Sequence, residues 1–377
     1  MRDELEGYRF DGAEQLITPC LLIFPHIVRA NIAEAIRLAG SPDRLRPHVK
    51  THKSPHVVQL MQAAGISKFK CATLSEARML GTCTAADVLV AYPQVGPAVA
   101  ELVRIVGDYP QTRFSTVVDD LHVLRQLDAA FVAAGQRIEV LLDIDTGMHR
   151  TGVPVGEAAH NLYVELCRAQ ALTAGGLHIY DGQNHQGEIA ARRAAVSLHW
   201  QPIGRMVSEL KAQGMPLPRL VCGGTPTFPV YAQLEAHDEQ TQIECAPGTC
   251  VLSDFNYGRL YADMDGFQPA AILMTRVISR QHADHVTVDL GYKAVASDPP
   301  AGRRCHFLNL PGAREIQHSE EHLVLETTHA NRLQVGDVLF ALPAHVCPTV
   351  ALHQQMIVVE QGKVVDRWPV TARDRIV

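Results

Sequence analysis

The chain has 377 residues, 47% hydrophobic and 20% charged, with a formal net charge of −6. That length holds one large domain and a smaller one, and the scattered, mildly acidic charge argues against a nucleic-acid or anionic-membrane partner. No apolar run is long enough to span a bilayer. The acidic opening MRDELEGYRFDGAEQ is unlike a signal peptide. Nine cysteines, odd in number and without framework spacing, point to reduced thiols in a cytoplasmic protein.

In chain order, TPCLLIFPHIVRANIAEAIRLAG (18–40) reads as a strand and a helix leading into a larger unit. From about residue 45 to 260, strand-like runs alternate with amphipathic ones. The strand candidates are LRPHVK, KFKCAT, DVLVAY, RFSTVV, IEVLLDID, GLHIY, RLVCGG and QIECAP. Helical stretches such as PHVVQLMQAAG and LHVLRQLDAAFVAAG end in glycine, as helix C-caps do. Eight apolar strands covered by helices predict an α/β architecture, a closed (β/α)8 TIM-like barrel over residues 18–262. An open doubly wound sheet is the alternative, but no GxGxxG follows the first strand. After about residue 268 the texture changes. AAILMTRVIS, HVTVDLGY, HLVLETT, DVLFALPAHVC and QMIVVEQGKVVDRW are short, β-branched and separated by turn residues, with no convincing helix between them. They predict a C-terminal β domain made of residues 1–17 and 263–377.

The segment RPHVKTHKSPHV (46–57) crowds three histidines and two lysines beside the end of the first barrel strand. Chemistry in such barrels sits at the C-terminal strand ends, which places Lys50 at the mouth. A lysine in a partly dry site beside other cations releases its proton readily, and the free amine attacks aldehydes. IDTGMHRTG (144–152) follows the fifth strand, where Arg150 offers a fixed fork of donors. CGGTPT (222–227) and APGT (246–249) end the seventh and eighth strands, the usual phosphate position of this barrel. Gly224, Thr225, Gly248 and Thr249 are therefore phosphate candidates. In ALPAHVCPTVALH (341–353), His345 and Cys347 would share one side of a strand; imidazole and thiolate together select zinc.

Five motifs in order, HVKTHK, CATLSEA, IDTGMHRTG, GGTPT and PAHVCPT, resemble the D-serine dehydratase and D-threonine aldolase family. These are fold-type III pyridoxal-phosphate enzymes of the alanine-racemase-like fold, with a barrel and a C-terminal β domain. The resemblance implies that Lys50 carries the cofactor, with Lys53 the other lysine of the motif. It implies that Arg150 stands near the cofactor's phenolic oxygen. GLHIYDGQNH (176–185) ends the sixth strand, where related enzymes differ from this sequence; its position puts Tyr180 or His178 toward the cofactor's ring and His185 and Asn184 toward substrate. The resemblance also implies that His345 and Cys347 bind Zn2+, with Mn2+ the alternative known among the aldolases. His52 or His48 would be an auxiliary acid or base.

The expected activity is that of a lyase on 3-hydroxy-D-amino acids. One form is β-elimination to a 2-oxo acid and ammonia, slightly favoured by the zinc-type ligand pair; the other is aldol cleavage to glycine and an aldehyde. An amino-acid racemase of the same fold is the alternative, and a metal-dependent amidohydrolase a further one. The amidohydrolase wants His-x-His and an aspartate ending the eighth strand, whereas this chain has His48-x3-His52 and ECAPGT. The partners expected are a small D-amino acid substrate and, by analogy with the fold, a second copy in a homodimer.

Overall fold

The structure is a computed structural model and describes residues 5–234, 240–280 and 282–376. The chain packs as two units. One comprises Ala35–Lys50, Val58–Gly248 and the last residues from Asp374; the other comprises the chain up to Glu34, Thr51–Val57 and Thr249–Arg373.

Strand β1 (Cys20–Ile23) belongs to the second unit. The first unit is built on tetrapeptides such as DVLV and RLVC in which every residue is buried, the pattern of a parallel sheet covered on both faces. Its strands are β2 (Lys68–Cys71), β3 (Asp87–Val90), β4 (Arg113–Val118), β5 (Ile138–Asp145), the two-residue β6 (Val153–Pro154), β7 (Leu172–Tyr180), β8 (Arg219–Cys222) and β9 (Gln242–Cys245). They pair in parallel in the order β2-β3-β4-β5-β7-β8-β9, with β6 beside β5. The ring closes through residues 45–48: Leu45 bridges Cys245 and His48 bridges Lys70. Arg46 N donates to Cys245 O and His48 N to Pro247 O, both at 2.8 Å, and Lys70 N donates to Pro47 O at 2.9 Å. Pro47 has no N–H to give a ladder, so the expected first strand is a bridged segment that turns at once into a 3-10 helix, Val49–Thr51. The barrel expectation is borne out.

Helices such as Pro55–Ala63 and Leu74–Thr82 cover the ring. The second carries a full capping box, Thr73 with Glu76. Glycines expected to end helices, Gly65 and Gly135 among them, take left-handed φ of 90° and 64°. Gly176, inside β7, has a φ of 103°, and a Cβ there would overlap the Arg219 carbonyl of the adjacent strand. Between the strands, Leu89, Val117, Leu141, Val221 and Ala246 form a buried apolar cluster.

Charges cluster toward the N-terminal ends of the strands. Fully buried Arg46 bonds Glu244 and Asp87, both at 2.6 Å; Lys68 joins Glu244 at 2.8 Å, Arg113 joins Asp87, and Arg219 joins Glu139. These pairs occupy the end of the barrel where residues serve stability, leaving the opposite end for chemistry.

The second unit holds β1 and β10 (Ala271–Ser279), β11 (His285–Val288), β12 (Cys305–Phe307), β13 (Arg314–His318), β14 (Leu323–Glu326), β15 (Val338–Pro343), β16 (Gln355–Glu360) and β17 (Lys363–Pro369). Their main order is β13-β14-β11-β10-β1-β16-β17, with β15 joining β10 to β12. Three sequence expectations change here. β1 does not lead into the barrel: its four buried residues, CLLI, pair antiparallel with β10 and parallel with β16, as a central strand must. The boundary expected near residue 262 falls instead between Gly248 and Thr249. A short helix, Val346–Leu352, also interrupts the expected all-strand region. Among the described residues no helix is long and apolar enough to cross a membrane.

Candidate active site

Three cations meet on one ring at the C-terminal end of the barrel strands. The Val49–Thr51 turn carries Lys50, whose Nζ lies 5.8 Å from the Tyr180 ring centroid; Lys70 Nζ lies at 5.4 Å and the Arg150 guanidinium carbon at 4.9 Å. Each is within cation–π range. Tyr180 is the last residue of β7, and its carbonyl accepts from Thr146 Oγ1 at 2.8 Å. Arg150 is presented by a loop wound on Asp145. The Asp145 carboxylate accepts from Gly147 N at 2.9 Å and His149 N at 3.0 Å, and meets His149 Nδ1 at 2.8 Å. Gly152 N, donating to Asp119 at 2.8 Å, ties down the far side.

Lys70 was not singled out by the sequence motifs. It is 3% exposed, and among the described residues no carboxylate lies within ion-pairing distance of its Nζ. Burial, reinforced by the neighbouring Lys50, pulls its pKa down to about 7. Part of the signal was present in KFKCAT: Lys68 and Lys70, two residues apart in one strand, share a face. Behind it, His178 Nδ1 faces Asp143 Oδ1 at 2.7 Å, while its buried Nε2 has no partner. Burial is the largest influence on this imidazole and lowers its pKa, with Lys70 and Arg150 adding to the effect. An orphaned ring nitrogen with the Lys70 amine and the Arg150 guanidinium close enough to act on it is a receptor for a polar, anionic ligand.

The two glycine loops also come together. Gly248 N donates to Thr225 Oγ1 at 3.0 Å, and a Cβ added to Gly224, two residues beyond β8, would lie 3.2 Å from the Tyr180 ring edge. Gly224, Thr225 and Gly248 thus form one cradle in the barrel unit. Thr249 differs: it belongs to the second unit, and its hydroxyl lies 3.5 Å from Cys347 Sγ. A cradle of this kind, an amine and an orphaned imidazole suit a phosphorylated aldehyde cofactor.

In the second unit His345 and Cys347 do converge, though not as alternate residues of a strand. β15 ends at Pro343; His345 is the N-cap of the helix Val346–Leu352, and Cys347 lies in its first turn. Asp254 accepts from Val346 N at 3.1 Å and holds the helix start. Burial disfavours charge on both side chains, yet their mutual contact outweighs it: His345 is pushed up to about 9, helped by Asp298, and the Cys347 thiol is lowered. Thr51 Oγ1, 3.1 Å from the sulfur, adds a hydrogen-bonding hydroxyl. A nitrogen donor beside a sulfur donor fits zinc.

The remaining candidates separate from these groups. His52 is fully buried in the second unit; its Nδ1 accepts from Ser54 N at 3.2 Å, and burial drives its pKa down to about 3. It stays neutral, which suits an anchor for the turn better than a proton shuttle. His48 Nδ1 accepts from Lys50 N at 3.2 Å and so shapes the lysine turn. Lys53 lies in the second unit, its carbonyl bonded by Ala372 N at 3.1 Å. Asn184 is buried against Asp181 at 3.3 Å, and His185 is exposed.

Residues 25–245, more than half the chain, match the model of the alanine racemase N-terminal domain. The chain belongs to that family. Residues 270–359 match a putative serine dehydratase domain. Over its whole length the chain is similar to a D-threonine aldolase of Arthrobacter sp., 28% identical with 96% of this chain and 94% of that one covered. It is also similar to a D-threo-3-hydroxyaspartate dehydratase of Delftia sp. strain HT23, 29% identical with 89% and 92% covered. The structure of D-threonine aldolase from Filomicrobium marinum superposes with a TM-score of 0.86 at 28% identity, covering 96% of each chain. The resemblance read from the five motifs is borne out.

Proposed function

We propose that this protein is a pyridoxal-phosphate-dependent, divalent-metal-dependent lyase acting on 3-hydroxy-D-amino acids. The observation that carries the reading is the convergence of Lys50, Lys70 and Arg150 on the Tyr180 ring. Lys50 carries the cofactor aldehyde. Arg150 and Tyr180 line its ring, His178 offers Nε2 to a polar atom of it, and Gly224, Thr225 and Gly248 receive its phosphate. When bound, the cofactor supplies the electron sink that stabilises negative charge at Cα. The freed Lys50 amine takes the Cα proton. Thr249, expected to bind phosphate, serves the metal ligand Cys347 instead.

His345 and Cys347 hold the metal, Zn2+ by donor chemistry and Mn2+ as the alternative. A metal there supplies a Lewis acid for the substrate's 3-hydroxyl oxygen. The His-x-Cys pair is the one the dehydratases of the resembled family carry, which slightly favours elimination of that hydroxyl to a 2-oxo acid and ammonia. Aldol cleavage to glycine and an aldehyde is the second reading, favoured by the full-length similarity to D-threonine aldolases. The nine cysteines, all free, support a reducing, cytoplasmic setting, and the fold supports a homodimer.

Separate incubations with D-serine, D-threonine and D-3-hydroxyaspartate test the proposal. A 2-oxo acid with ammonia establishes elimination; glycine with an aldehyde establishes cleavage. Interconversion of D- and L-alanine with neither product would make the protein a racemase and overturn the lyase reading.

A further inference from the structure

The imidazole of His345 is gripped from outside the ligand pair. Asp298 Oδ2 lies 2.5 Å from His345 Nδ1. The loop that carries Asp298 is laced to the helix that carries Cys347: Ala296 N donates to Thr349 Oγ1 at 3.2 Å, Thr349 Oγ1 donates to His345 O at 2.8 Å, and His353 Nε2 meets Ala294 O at 2.8 Å. Pro299 and Pro300 follow Asp298 directly and stiffen the loop's exit. All of these residues lie in the second unit.

We propose that Asp298 is a positioning residue of the metal centre: it holds His345 by Nδ1–H, so that Nε2 is the nitrogen offered to the metal. The inference rests on the metal reading given above and adds which ring nitrogen ligates and what keeps it there. A carboxylate on the far nitrogen of a ligating histidine selects the tautomer, stops the ring from turning and strengthens the other nitrogen as a donor. Without it the His345 ring, which is partly exposed, rotates about its Cα–Cβ and Cβ–Cγ bonds. The metal then keeps only Cys347 as a fixed ligand.

The test uses the full-length, cofactor-loaded protein, stripped of metal and titrated with Co2+ against a chromophoric chelator. The near-ultraviolet sulfur-to-cobalt absorption reports Cys347 directly, independently of turnover. The parent protein should show that band, and Cys347→Ala should lose it. Asp298→Ala should keep the band, because the sulfur still ligates, but bind cobalt about 10- to 100-fold more weakly. Asp298→Ser carries the same expectation should the alanine variant fold poorly. Asp298→Asn, which retains an oxygen for Nδ1–H, should recover most of the affinity. If Asp298→Ala and Asp298→Ser bind cobalt as tightly as the parent, the positioning role is overturned. A parent protein that binds cobalt without a sulfur band, or not at all, overturns the metal reading itself, a different result from the first.

Discussion

Replacing Lys70 by Met in the cofactor-free protein should make it more stable, and by an amount that depends on pH. The side chain is 3% exposed and burial lowers its pKa from 10.5 to about 7. Each tenfold change in proton affinity is worth about 1.4 kcal/mol, so the amine destabilises the fold by ~5 kcal/mol at full effect. The sign follows from the direction of the shift. Below pH 7 the lysine is charged in both folded and unfolded chains, and the whole penalty is present. Between pH 7 and 10.5 the folded form has shed its proton while the unfolded form still binds one, so stability climbs as pH rises. Above 10.5 both forms are neutral and the penalty vanishes. Methionine fills similar space without charge, so Lys70→Met should gain ~3–5 kcal/mol at pH 6–7, ~2 at pH 9, and little at pH 10.5. Urea unfolding of the parent and variant apoproteins at several pH values reads this directly. A variant no more stable than the parent at pH 6.5, or a gain that does not shrink with rising pH, would refute the argument that this amine is desolvated.

The buried triad at the other end of the barrel gives the opposite result. Arg46→Leu leaves Asp87 and Glu244 without their shared guanidinium and should cost about 3–5 kcal/mol in urea unfolding. Both carboxyls are held below their ordinary range mainly by Arg46 against the cost of burial; their contribution is therefore present above pH ~4 and lost as pH falls further, and the Arg46 variant should show a shallower acid transition. Dialysis against a chelator should abolish lyase activity, with recovery on adding Zn2+ or Mn2+; full activity in the chelated, metal-free protein would rule out a metal role for His345 and Cys347.

The barrel was legible because its strands are short, buried and punctuated by helix-ending glycines such as Gly65 and Gly135. β1 was misplaced because CLLI reads the same in any buried strand; only its partners, β10 and β16, distinguish a parallel barrel from a mixed sheet. Lys50, Arg150, Gly224 and Thr225 could be proposed for the cofactor because barrel topology dictates where strand ends face. Lys70 escaped notice because no motif contains it, although its place in KFKCAT was informative. His345 and Cys347 lie together at a helix start and not on one side of a strand, since whether a strand ends at Pro343 or runs on depends on tertiary packing. Asp298, 47 residues away from His345 in sequence, left no local trace at all.

Borohydride reduction of the protein with bound pyridoxal phosphate, followed by digestion and mass mapping of the labelled peptide, tests the central assignment most directly. The label should fall on Lys50, and the Lys50→Ala protein should take up none. Label on Lys70, the other amine beside Tyr180, or on any residue outside the barrel mouth, would contradict it.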